Sequence, residues 1–181
     1  MNKYIKSIAG MAALCSIVFL SSCDKKVDYS GVWEARTPVD VTVGQGIAAS
    51  YVTTLDIQND QNTLGSGVVR FSDKYNISER DSVGNAVNLT AMASADGTWQ
   101  TDIDDADDIL MKFDYSTIKI DVNGDSAKVA SWKPEIERVF RQNMTKFSVV
   151  EDMEVKDNGK LLSLEFDHQD MKLFFDRVEP K

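Results

Sequence analysis

The sequence predicts a mostly β domain, an antiparallel barrel or sandwich with one amphipathic helix at about residues 134–147. Three observations carry this reading. Short segments of alternating apolar and polar residues recur along the chain, as strands with one buried face require. Asn-Gly pairs at 123–124 and 158–159 supply two-residue hairpin chemistry. Only one stretch, Ile136, Val139, Phe140, Met144 and Phe147, changes to helical spacing.

The elements follow in order. A first strand is expected near Ser30–Arg36, then a loop or bulge in the Gly/Ala/Ser-rich 44–50. Tyr51, Thr53, Leu55 and Ile57 alternate with Val52, Thr54 and Asp56, and Asn59-Asp60-Gln61-Asn62 has turn chemistry. Leu64–Phe71 reads as a returning strand, bent at Gly65 and Gly67. Ser72–Asn85 reads as polar and irregular, Val87–Ala93 as a strand, Asp96-Gly97 as a turn, and Trp99 as part of the next strand. Ile109–Asp114 and Thr117–Val122 follow, and Asn123-Gly124 is expected to turn into a strand over 125–130. Pro134 marks the first helical turn, with Glu135 and Glu137 near the positive helix end and Trp132 packing just before it. Strands are then expected over 148–156, 160–166 and 171–177. Tyr29–Trp33 and Ala95–Trp99 echo each other as small openings to a strand.

Ahead of the domain, Lys3 and Lys6 precede an almost wholly apolar run from Ile8 to Leu20. This has the form of a cleavable export signal, shorter than the ~18–20 residues a permanent span needs. Leu20-Ser21-Ser22-Cys23 resembles the lipobox cut by lipoprotein signal peptidase. The resemblance implies a signal peptide over 1–22, a diacylglyceryl group on Cys23, a tether over 23–30 and a single domain over 31–181. Two or more acyl chains hold a protein to a membrane firmly, at ~0.8 kcal/mol per buried methylene.

The other cysteine, Cys15, lies inside the signal, so the mature domain has neither a disulfide nor a thiolate site. The whole chain carries −9. Lys3 and Lys6 contribute +2 with no acid beside them, which leaves −11 behind Cys23. An acidic domain without basic runs is unsuited to nucleic acid, and no nucleic-acid partner is expected.

Gly31-x-Trp33, the run of antiparallel strands and Arg177 near the chain's end resemble the lipocalin or calycin pattern. With the lipobox in front, the chain resembles small lipocalin-like lipoproteins of Bacteroidetes-type bacteria. The resemblance implies that Trp33 closes one end of a barrel and that Arg177 packs across its indole. It also implies a cell-envelope location, with the outer membrane as the expected anchorage. Asp81-Ser82-Val83 and Asp125-Ser126-Ala127 are similar to O-glycosylation acceptors of those bacteria, though Asp-Ser is also ordinary turn chemistry.

Candidate chemistry is sparse. The acidic run 102–108 supplies carboxylates suited to Ca²⁺, but it lacks the glycine and distant Glu of an EF-hand loop and fits a solvated turn. His168, the single histidine, lies in a polar turn. No Gly-x-Ser-x-Gly elbow or complete dinucleotide loop occurs. The expectation is a non-enzymatic lipoprotein without a cofactor. Its membrane contact is the anchor, and its barrel binds a small apolar ligand or an envelope protein. Tyr51, Phe71, Trp99, Phe113 and Tyr115 are the candidate ligand-binding side chains. An accessory subunit without a cavity is the first alternative, and a glycan or lipid hydrolase using two carboxylates is the second.

Overall fold

A computed structural model of the chain describes residues 27–42, 48–63, 65–80, 83–102, 108–124, 126–166 and 171–179. Eleven strands and one long helix follow in the order β1 Gly31–Ala35, β2 Val39–Thr42, β3 Ala48–Asn59, β4 Ser66–Arg80, β5 Ala86–Thr101, β6 Ile109–Phe113, β7 Lys119–Asn123, α1 Ser126–Lys146, β8 Val149–Val150, β9 Asp152–Lys156, β10 Leu161–Phe166 and β11 Met171–Arg177.

Every described pairing is antiparallel, in the order β8-β6-β5-β4-β3-β1-β11-β10-β9. β2 continues the line of β1 along β3, and β7 continues the line of β6 along β5. β8 and β9 are separated only by Glu151, whose N–H donates to Glu165 O at 2.9 Å. One bent strand therefore touches both ends of the sheet, β6 through Val150↔Ile109 and β10 through Met153↔Leu164. The result is a nearly closed, lipocalin-like barrel of eight strand positions, small enough for side chains to fill.

Three sequence expectations need correction. Ser72–Arg80 is not irregular, because β4 continues through it, and only the turn at Val83–Asn85 is left of the expected irregular stretch among the described residues. The inward frame Phe71-Asp73-Tyr75-Ile77 contains an acid, which hides the alternation. Asp96-Gly97 is not a turn, since β5 runs unbroken through it. Gly97 is small because β6 crosses closely there: a Cβ would lie 2.7 Å from Lys112 O. The segment after Asn123-Gly124 is helix from Ser126, not a strand, and Pro134 lies inside that helix. β6 and β7, both expected as strands, run in line along β5 with a 3-10 turn over Tyr115–Thr117 between them. At Asn158-Gly159 a tight turn does join two paired strands, both residues taking left-handed backbone with φ of 55° and 86°.

The helix supplies the middle of the core. Trp132, Ile136, Phe140, Met144 and Phe147 share one face and are all buried. Phe71 on β4 meets Phe140, Phe147 and Phe113, with ring centroids 5.5, 4.9 and 5.3 Å away. Opposite them, β5 presents Ala91, Ala93 and Ala95, small buried side chains that leave room for a helix beside the wall. The expected cover for an open end is therefore a helix whose apolar stripe packs into the barrel.

Candidate functional site

Strand alternation sends Tyr51, Thr53 and Leu55 of β3 into the barrel, together with Phe71, Asp73 and Tyr75 of β4. Register places Thr53 opposite Asp73 and Tyr51 opposite Tyr75. The helix adds the one described buried polar side chain on its inner face, Asn143. These residues make the described polar cluster of the interior.

Asp73 is 0% exposed. Its Oδ1 accepts from Thr53 Oγ1 at 2.7 Å, and its Oδ2 accepts from Asn143 Nδ2 at 2.8 Å and from Tyr75 OH at 3.2 Å. Asn143 Nδ2 also lies 3.3 Å from Thr53 Oγ1. Burial pushes the Asp73 carboxyl up to about 6, while the bonds from Asn143, Thr53 and Tyr75 hold it back. Burial also pushes the Tyr51 hydroxyl up to about 12, with the Asp73 charge adding to it, and raises Tyr75 in the same way. The arrangement can bind and release one proton near the acid side of neutrality. It also fixes the depth and rotation of the helix, because a slip by one residue would strip the carboxylate of a donor. Sequence reading passed over Asp73 and Asn143. The available signal was a polar residue in an otherwise apolar inward frame.

The candidate ligand-binding aromatics fall in two places. Tyr51, Phe71, Trp99 and Phe113 are buried. Tyr51 packs on Tyr75 at 5.5 Å, and Trp99 packs edge-on to Tyr29 at 5.7 Å. Tyr51, Phe71 and Phe113 pack against other rings, while Trp99 also borders an open cleft of about 460 Å³ at Gln58, Gly67 and Gln100. The space left between helix and sheet at Val41, Tyr75, Trp132 and Val139 is about 10 Å³, at the lower limit for a single water. Tyr115 stands outside, with the Arg141 guanidinium 5.2 Å from its ring centre. Trp132 belongs to the helix and donates to Glu79 Oε2 at 3.2 Å.

At the opposite end from Trp132, Arg177 pairs with Trp33 in register and holds its guanidinium carbon 4.4 Å from the indole centre. Arg177 Nε donates to Gly159 O at 2.6 Å, and Trp33 Nε1 donates to Tyr29 O at 2.9 Å. Gly31 must be small here, since a Cβ would sit 2.9 Å from Arg177 Nη1. Asp28–Ser30, read as tether, are pinned to this rim. Tyr29 is buried, and Asp28 accepts from Ser30 N–H, Ser30 Oγ and Asn59 Nδ2.

Cys23, His168, residues 103–107 of the acidic run, Asp81, Ser82 and Asp125 lie outside the described residues. Among the described residues, no group of three or more His, Cys, Asp or Glu is placed to hold a metal ion. No family model matches the chain, and no curated protein matches it by sequence.

Proposed function

We propose that the protein is an exported lipoprotein of the cell envelope, anchored through acyl chains on Cys23. It works without catalysis, binding a partner protein on the outside of its barrel. The observation that carries this reading is the occupied interior: Phe140 and Met144 of α1, with Phe147 just after it, fill the space where a lipocalin-like barrel would hold a ligand. The anchor rests on Lys3, Lys6, the apolar run 8–20 and Leu20-Ser21-Ser22-Cys23. The open clefts favour the exterior too. One of about 370 Å³ lies on the outer wall at Ser50, Asn76, Asn88 and Thr90, and one of about 600 Å³ lies at Gly124, Val129 and Pro134. The described interior carboxylate is sealed by three donors, which does not favour the two exposed carboxylates of a glycan hydrolase.

Two measurements test this reading. Native mass spectrometry of the mature chain without its lipid is expected to show the bare mass; a co-purifying lipid or other small molecule overturns the exterior mode in favour of an interior ligand. Cys23→Ser is expected to leave the protein unprocessed or released. Variant protein that still fractionates as an acylated membrane species overturns the anchor.

A further inference from the structure

The chain emerges from the barrel at a defined place, and this has a geometric consequence if the anchor reading above holds. Asp28 and Tyr29 are fastened to the rim that carries Trp33, Arg177 and the turn at Gly159. From Cys23 to Asp28 is five residues, which span at most ~18 Å when fully extended. The opposite end carries the β4–β5 hairpin and the start of α1, marked by the Arg80 bond to Gly84 O and by Trp132 at Glu79. β4 has fifteen residues, so at ~3.3 Å each and a tilt of ~40° it separates the two ends by ~35 Å along the barrel axis.

We propose that the Trp33–Arg177 rim is the membrane-facing end of the anchored protein, and that the β4–β5 hairpin and the α1 N-terminal half form its outward end. The short tether cannot reverse this order while the barrel stands on its rim. The outer wall gives little reason for the barrel to lie down. The exposed large apolar side chains described on its strands, Val39, Val68, Met92, Val149 and Phe174, are single residues on β2, β4, β5, β8 and β11, and the charge of −11 is repelled by anionic lipid. The partner expected above would therefore approach from the hairpin end or the upper wall.

Cys23 is the only cysteine in residues 23–181, a stretch that holds every described element. Coupled there to a maleimide lipid in nanodiscs doped with a gadolinium-chelate headgroup lipid, the protein reports its orientation through amide signal broadening. Asn62, Asn158 and Val178 are expected to broaden many-fold more than Gly84, Asn85 and Ser131. Equal broadening at the two ends, stronger broadening at the hairpin, or broadening confined to one wall overturns the proposal. Because the lipid is attached chemically, this result stands apart from the Cys23→Ser test, in which failure would remove the natural anchor and leave the measured orientation intact.

Discussion

Asp73→Asn is the substitution that most directly probes the buried cluster. The carboxyl is raised from 3.8 to about 6 in the fold, first by burial. Each pH unit of such a gap corresponds to ~1.4 kcal/mol, so keeping Asp73 charged lowers folding stability by about 3 kcal/mol. The sign follows from the direction. Asp73 holds its proton more tightly when folded, so its stabilising contribution is complete below pH ~4 and fades as the pH rises through 6. Asparagine has nearly the same shape and never ionises. It keeps an acceptor for Asn143 Nδ2 and can donate to Thr53 Oγ1, so the variant should retain the fold. The assay is urea unfolding of wild type and variant from pH 4 to 8, taking the difference between them so that the remaining carboxylates cancel. The expected difference changes by about 2.4 kcal/mol across pH 4–7, with the variant gaining on wild type toward higher pH. A pH-independent difference refutes the claim that a charged, desolvated carboxylate sits between β4 and the helix. A change of opposite sign refutes it as well.

Two further outcomes follow from the packing. Phe140→Ala removes a fully buried ring against Phe71 and should destabilise by ~3–5 kcal/mol in the same urea assay; a loss below ~1 kcal/mol would mean that the helix is a detachable cover and not part of the core. Arg177→Ala removes the guanidinium from Trp33 and the bond to Gly159 O, with an expected loss of ~1–3 kcal/mol in thermal or urea unfolding and a change in tryptophan fluorescence.

The strands were legible where their two faces differ. Tyr51 to Ile57 alternates cleanly and is strand; 160–166 and 171–177 lie within a residue of their structural bounds. The pattern failed where a buried acid or close strand crossing intrudes on it. Asp73 breaks the inward apolar frame of β4, so the longest stretch of that strand looked like loop. Gly97 looked like a turn because small size at a crossing and backbone freedom at a turn select the same residue. The first two turns of α1 carry no clear apolar stripe before Trp132, and Asn123-Gly124 promised a hairpin, so the helix appeared to start at Pro134. The Trp33–Arg177 contact was visible only through family resemblance, since no local spacing joins residues so far apart. The Asp73–Asn143 contact lies 70 residues apart, and although Asp73 marks itself by interrupting an apolar frame, nothing local names Asn143 as its partner.

The barrel is completed by β1 against β11, the first and last of the described strands, with Trp33 opposite Arg177 and Ala35 opposite Phe175. That seam has a kinetic meaning. A chain made N-terminus first delivers β1 early, but β11, which completes its pairing, is the last of the described strands to arrive. Closing so long a loop is slow compared with forming the local β3–β4 and β4–β5 hairpins, so the seam should form late. Until then β1 is paired on one side only, by β3, and offers an open edge to neighbouring chains. Late sealing makes the last strand, β11, the point at which truncation would leave an aggregation-prone, unsealed sheet.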